Sequence, residues 1–336
     1  MSVDELVLLV REKGKMRPFV EGVRDYICNE HGKSVDCKLV PIEVSDYASE
    51  EFKPHITESI RRKRVFYITD PSLNPSESII DATLTAQAAK LASADEVNLI
   101  LTYMPWLRQD LKDKSRVPIS ARAVVDILSL YANRCVLCDP HFKQIQGFFD
   151  IPTDVLSAYP VVIDYLQTNH PDIIKNSQIL TADGGGNKRI GDFAKRAGLP
   201  LDVLTAEDIQ DKRDPNRPNE VVRETVVYGE VKKPIGLVVE DIIDTGTTLI
   251  HLAKGARKRT ADGLRELVVY ATHFVNSNHA FEKLKEIYDL IVTTDTIPTP
   301  PEERGRFEVV SLKKLFGEAI YRVHAGESVD SLFDKI

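Results

Sequence analysis

The feature that most constrains this chain is a rhythm of short, almost wholly apolar runs separated by helical ones. "RVFYIT" (64–69), "EVNLILTYM" (96–104), "CVLCD" (135–139), "QILTAD" (178–183), "PIGLVVED" (234–241), "ELVVYATHF" (266–274) and "LIVTTD" (290–295) read as strands. Between them, "SIIDATLTAQAAKLASA", "ISARAVVDILSLYA", "VVIDYLQTN", "NKRIGDFAKRAG" and "TTLIHLAKGARKR" carry apolar residues at helical spacing. A strand that is apolar on both sides must be covered on both faces, and an intervening helix supplies both the cover and the crossover. The pattern therefore predicts an α/β protein with mostly parallel sheets flanked by helices. A length of 336 residues is enough for two such domains. The rhythm restarts after "FFDIPTD" (148–154), so the boundary is expected between 150 and 160, giving domains 1–156 and 157–336. The halves read as one α/β unit used twice, without a residue-level repeat.

Composition excludes several function classes. A formal net charge of −7 with 28% charged residues opposes a general nucleic-acid binder, which carries a basic face. The dense basic run Arg61-Arg62-Lys63-Arg64 is expected to close a helix C-terminus ahead of "VFYIT"; a phosphate or partner contact is the other reading. The opening "VDELVLLVREKGK" is broken by charge too early for a signal peptide, and no run of 18 apolar residues crosses a membrane. Four cysteines do not make a disulfide framework. Cys135 and Cys138 lie three apart on a strand, so they point to opposite faces and read as core thiols, not a metal pair. A cytoplasmic protein is expected.

One segment breaks the rhythm. "AEDIQDKRDPNRPNEVVRETVVYGEVKK" (206–233) is polar, carries two prolines and mixes charge. Its first half reads as a long loop, of the kind that closes over sites; a plain surface insertion is the alternative.

In open α/β sheets ligands bind beyond the carboxyl ends of the strands, and four such ends carry polar clusters here. The first is "VVEDIIDTGTTL" (238–249), in which Glu240 and Asp241 precede Asp244-Thr245-Gly246-Thr247-Thr248. Backbone N–H groups at a helix start hold phosphate, Gly246 permits close approach, and the threonines add hydroxyl donors. Carboxylates accept hydrogen bonds from sugar hydroxyls, so the stretch fits a sugar phosphate better than an ordinary Asp-Thr cap. The second is Asp183 with Gly184-Gly185-Gly186, a glycine-rich strand-to-helix turn that is weak on its own. The third is "CDPHFKQIQGFFD", with Asp139 and His141 at a strand end; a lone histidine is more often structural. The fourth places Arg108, Gln109, Asp110, Lys112, Lys114 and Arg116 within nine residues after a strand. That cluster suits an anionic ligand needing hydrogen-bond readout, such as a nucleotide, or else a charged surface.

"VEDIIDTGTT" resembles the phosphoribosyl-pyrophosphate motif of type I phosphoribosyltransferases. "YMPWLRQDLKDKSRVPISA", "DPHFKQIQGFFDIPTDVLSA" and the ending "VHAGESVDSLF" resemble the ribose-phosphate pyrophosphokinases, from about residue 40 to the end. The resemblance implies two phosphoribosyltransferase-like domains, with the last ~20 residues packing back on the first. It implies attack of the 1-hydroxyl of ribose 5-phosphate on the β-phosphorus of Mg-ATP, giving phosphoribosyl pyrophosphate and AMP. Carried over by position, His141 and Asp183 hold Mg²⁺. Asp46, Glu50, Arg108, Gln109 and Asp110 bind ATP. Glu240, Asp241 and the loop Asp244, Thr245, Gly246, Thr247 and Thr248 bind the sugar phosphate. Lys212, with Arg213, serves as the mobile catalytic cation. The family's members are homo-oligomers built from dimers, acting on small molecules without nucleic acid or membrane.

The chain departs from the family pattern in places. "VSDYASEE" keeps Asp46 but offers Glu50 only after an insertion, and "ADGGG" stands for "P-D-A-G-G". Asp214 occupies the place of a second loop arginine, with Arg213 and Arg217 nearby. Thr247 replaces a small residue in the phosphate loop, and the N-terminal "G-N-S-N-P-E" segment is not visible. Ribose 5-phosphate is the leading acceptor. A longer 5-substituted ribose such as ADP-ribose, and a non-catalytic synthetase-associated subunit, are the competing readings. A phosphoribosyltransferase that consumes phosphoribosyl pyrophosphate lacks support, because the N-terminal half carries the synthetase motifs.

Overall fold

The computed structural model describes residues 4–181, 187–199, 204–214, 217–228, 232–259, 263–299 and 307–332. The chain divides into two compact units: Met1–Ala158 with Asp295–Thr299 and Ser311–Ile336, and Tyr159–Thr294 with Pro300–Val310.

In the first unit, β1 (Asp4–Arg11), α1 (Arg17–His31), β2 (Val35–Asp46), β3 (Phe52–Ile56), β4 (Arg64–Ile68), α2 (Pro75–Leu91), β5 (Glu96–Leu101), α3 (Ser120–Ser129), β6 (Arg134–Cys138) and β7 (Thr153–Leu156) follow one another. The sheet order is β3-β2-β1-β4-β5-β6-β7, and only β3 runs antiparallel. The charged-looking opening is thus a central strand, with Leu6 through Val10 buried. Helix α1 covers it with Phe19, Val20, Val23 and Ile27, a stripe at helical spacing. The basic run closes no helix. It follows β3 through a turn in which Arg62 adopts φ 57°, and its charges are used by residues distant in sequence. Lys63 pairs with Glu5 at 2.8 Å, and Arg64 donates to the His324 carbonyl at 2.6 Å. Cys135 and Cys138 are buried free thiols, both pushed up from the ordinary thiol range by burial.

The second unit contains α4 (Tyr159–Asn169), α5 (Pro171–Asn176), β8 (Ser177–Thr181), α6 (Asn187–Ala197), β9 (Leu204–Asp214), β10 (Arg217–Tyr228), β11 (Ile235–Ile243), α7 (Thr247–Arg259), β12 (Glu266–Phe274), α8 (Ala280–Leu284), β13 (Leu290–Thr294) and β14 (Phe307–Val310). Its order, β10-β9-β8-β11-β12-β13-β14, repeats that of the first sheet strand for strand, again with one antiparallel edge hairpin. The long loop expected in the first half of 206–233 is therefore corrected: Ala206–Asp214 lie on β9, antiparallel to β10. "EVVRETVVY" is dense in β-branched residues, and Asp-Pro-Asn at 214–216 is turn chemistry; the prolines and charges of 206–220 disguised the partner strand. The last helix, α9 (Lys313–Ala325), belongs to the first unit. It packs on α1: Phe316 meets Phe19 edge-on at 5.6 Å, and Glu318 accepts from Tyr26 and pairs with His31 at 2.8 Å.

Candidate active site

Each unit gathers its described candidate residues on one edge of its own sheet, the carboxyl edge of the parallel strands. In the first unit, β5 runs into a loop pinned by buried Met104 and Leu107, which leaves Arg108 and Gln109 exposed and Asp110 half-buried. Gln109 is fastened to the start of α3. Its carbonyl accepts from the Ala121 N–H at 3.1 Å and its Oε1 from Ser120 Oγ at 2.6 Å, so its amide NH₂ is the end left to face a ligand. Ser120 is the anchor that sequence reasoning missed; a hydroxyl one residue inside a helix start was its only signal.

His141 follows β6 and is half-buried. The chain reaches it through Asp139, held at φ 34°, a region that disfavours side-chain-bearing residues. Two hydrogen bonds hold Asp139 there: its N–H donates to the Leu156 carbonyl, and its Oδ2 accepts from the Ala158 N–H, both at 3.0 Å. Asp46 and Glu50 are exposed at the tip of the β2–β3 hairpin, where Glu50 takes φ 65° in the turn. Strands β2 and β5 are separated by β1 and β4, three spacings or about 14 Å. The two clusters thus spring from separate strand ends on the carboxyl edge of one sheet.

In the second unit, β11 ends at Ile243, and after three intervening residues α7 begins at Thr247. Gly246 makes that turn with φ 72°. A Cβ there would also lie 3.1 Å from Leu284 Cδ1. Thr245 and Thr247 bring their hydroxyls within 3.3 Å of each other, and Thr247 and Thr248 are exposed. The acidic pair is divided by the pleat. Glu240 is half-buried, while Asp241 on the opposite face is 4% exposed. Tyr288, which donates to the Leu249 carbonyl at 2.9 Å, has its hydroxyl pushed far up, first by burial and then by the charge of Glu240; this sets Glu240 on the α7 side of the sheet. The neighbouring strand end holds Thr272 and His273, both buried, a polar step inside "ELVVYATHF" that reading it as a plain strand overlooked.

Asp183 lies outside the described residues. The strand it follows, β8, is the direct neighbour of β11. Lys212 and Arg213 sit on β9, and their side chains lie outside the described part of the chain. Among the described residues Leu204 and Thr205 of β9 pair with β8, and from Thr205 to Asp214 the strand pairs with β10. Because β9 runs parallel to β8, this arm extends past the carboxyl edge, with Lys212 about 23 Å beyond Thr205 along the strand.

Among the described residues no group of three metal-ligating side chains converges, and no helix is long and apolar enough to cross a membrane. His141 offers a single imidazole nitrogen. That suits Mg²⁺ only as a minor partner to oxygen donors, as in sites where carboxylate and substrate phosphates supply most of the shell.

Two family models match the chain: the N-terminal domain of ribose phosphate pyrophosphokinase over residues 19–131, and the phosphoribosyl synthetase-associated domain over 218–334. The ribose-phosphate pyrophosphokinase of Aquifex aeolicus is 36% identical over 298 residues, 88% of this chain and 92% of that protein. This chain belongs to the ribose-phosphate pyrophosphokinase family. The family's enzyme from Caldanaerobacter subterraneus is 33% identical over 331 residues, 97% of this chain and 100% of its own length. The crystal structure of phosphoribosylpyrophosphate synthetase from Mycobacterium smegmatis shares the fold, with a TM-score of 0.81 at 24% identity, covering 96% of this chain and 99% of that one.

Proposed function

We infer that the protein transfers the pyrophosphoryl group of ATP to the 1-hydroxyl of ribose 5-phosphate, yielding phosphoribosyl pyrophosphate and AMP. The observation that carries this is similarity to named pyrophosphokinases along nearly the whole chain, 88% in one relative and 97% in another. The 1-hydroxyl oxygen attacks the β-phosphorus, the bond from that phosphorus to the α–β bridging oxygen breaks, and AMP leaves. Such transfer needs positioning and charge neutralisation more than covalent participation by the protein.

In this reading the turn Asp244–Thr248 encloses the 5-phosphate with the N–H groups of the α7 start and the threonine hydroxyls, and Glu240 and Asp241 accept from the ribose hydroxyls. Arg108, Gln109 and Asp110, with Asp46 and Glu50, take ATP. Lys212 and Arg213, on the arm beyond the sheet edge, bring positive charge to the transferred group. His141 and Asp183 would hold Mg²⁺, which when bound offsets the charge shared by the attacking and leaving oxygens. The protein acts in the cytoplasm, where ATP is available, as a homo-oligomer built from dimers.

The relatives' names support ribose 5-phosphate over ADP-ribose as acceptor. AMP release measured with each sugar at saturating ATP tests this. Ribose 5-phosphate is expected to have the higher kcat/KM; a tenfold preference for ADP-ribose, about 1.4 kcal/mol in transition-state binding, overturns it. Lys212→Ala is expected to lower kcat about 100-fold with little change in KM for the sugar, since its contact forms mainly in the transition state.

A further inference from the structure

The amino end of the first sheet, opposite the edge that carries the candidate residues, brings two thiols together. Cys28 lies in the last turn of α1 and is exposed, while Cys37 lies near the start of β2 and is 5% exposed. Strand β1 sends Val7 and Leu9 into the core shared with α2, so Leu6 and its register partner Cys37 face the other side of the sheet, where α1 packs. Cys28 Sγ is 3.9 Å from the Cys37 carbonyl oxygen, and the Cys37 thiol is within hydrogen-bonding reach of Cys28. The connection between them is short and fixed: the Gly32 N–H donates to the Cys28 carbonyl at 3.1 Å, and the Ser34 N–H to the His31 carbonyl at 2.8 Å. The other two cysteines do not compete. Cys135 and Cys138 are buried on β6, four strand spacings or about 19 Å from β2.

We propose that Cys28 and Cys37 are a modification site for low-molecular-weight disulfides, which convert the pair to a reversible bond stapling the end of α1 to the start of β2. Unequal exposure divides the work. The Cys28 sulfur, at the surface, attacks one sulfur of the external disulfide; that S–S bond breaks, and one external thiol leaves with a proton. The Cys37 sulfur then gives up its proton and attacks Cys28 Sγ, expelling the second external thiol. Two cysteine thiols are oxidised, one external disulfide is reduced to two thiols, and both protons leave with them. Before the first step Cys37 stays a thiol, because burial and then the charge of Cys28 push it up to about 12. Once Cys28 carries a neutral disulfide, that opposing charge is gone. Bonding needs the sulfurs at about 2.05 Å, and exposed Cys28 is the side chain with room to turn. The closed loop, residues 28–37, is short, and closing it restricts the unfolded chain. In a reducing compartment such a bond is transient, so the staple belongs to oxidising episodes and not to the resting fold.

Glutathione disulfide is the probe, applied to the native full chain. Thiol titration after denaturation is expected to fall from four thiols to two, and peptide mapping to find Cys28 joined to Cys37 within one chain. Dithiothreitol is expected to restore all four. Cys37→Ala is expected to stop at a mixed disulfide of glutathione on Cys28, and Cys28→Ser to leave Cys37 unmodified. The oxidised wild type is expected to melt on the order of 3 °C above the reduced form, a shift absent from Cys28→Ser treated in the same way. A wild type that keeps four thiols, that accumulates the glutathione adduct as Cys37→Ala does, or whose new disulfide joins two chains overturns the pairing. An unchanged melting temperature in the oxidised wild type overturns the staple.

Discussion

The two sheets share one strand order but end differently at the corresponding place, where β4 leads into α2 and β11 into α7. In the first unit the connection takes six residues and is filled from within. Asn74 Oδ1 accepts from the N–H groups of Ser76 at 2.9 Å and Glu77 at 3.2 Å, so donors at the start of α2 are already engaged. Asp70, 2% exposed, accepts from the N–H and hydroxyl of Ser72, and a Cβ on Gly14 would meet its Oδ2 at 2.7 Å. Behind it Arg11 reaches Asp81 and Glu77, each at 3.5 Å, and Tyr67 donates to Asp81. In the second unit the connection takes three residues, turns on Gly246 and shows threonine hydroxyls to solvent. The edge hairpins differ as well. β2 is paired with β1 along eight residues and runs only four beyond, whereas among the described residues β9 is paired with β8 at Leu204 and Thr205 and with β10 out to Asp214. Topology offers the same crevice twice; side chains and turn length make the two differ.

The largest expected break of this contrast is Gly246→Val. A β-branched residue at φ 72°, crowded by Leu284, closes the turn, and kcat/KM for the sugar is expected to fall 100-fold or more, about 2.7 kcal/mol. Retention of activity within threefold removes the turn from the site.

Arg11→Met tests whether the first unit's crevice is a packed ionic core. It strands the Asp81 carboxylate, and chemical denaturation at neutral pH is expected to show a loss of about 3 kcal/mol. A loss under ~1 kcal/mol means that water reaches Asp81.

Asp81 also gives the first unit a pH signature. Burial pushes its carboxyl from 3.8 to about 6, against the pull of Arg11 and the Tyr67 hydrogen bond. Because the folded value exceeds the unfolded one, its contribution to stability is full below pH ~4 and is lost as pH rises through ~6. The stability of the wild type relative to Asp81→Asn is therefore expected to decline between pH 4 and 6 and then level off. A flat difference across that window contradicts the burial.

Asn74→Ala is the smallest effect. Loss of the α2 cap is expected to cost about 1 kcal/mol of stability and to leave kcat/KM within about twofold. A large drop in activity would show that the first unit's turn does touch substrate.

The local periodicities determined much of this by themselves. Apolar runs such as "GLVVED" and "RVFYIT" specify buried parallel strands because nothing else covers both of their faces, and the Asp-Thr-Gly-Thr-Thr turn is a local motif whose glycine and hydroxyls sit together in sequence. The charged opening and the 206–233 segment were not legible in that way. Arg11 is tolerated at the end of a central strand only because Asp81 and Glu77, some seventy residues on, pair with it. Pairing of that kind is a property of distant residues brought together, so the tertiary structure alone decided it. It also decided that Glu240 and Asp241, adjacent in sequence, look to opposite faces of one sheet, and that two crevices of the same topology differ in what fills them.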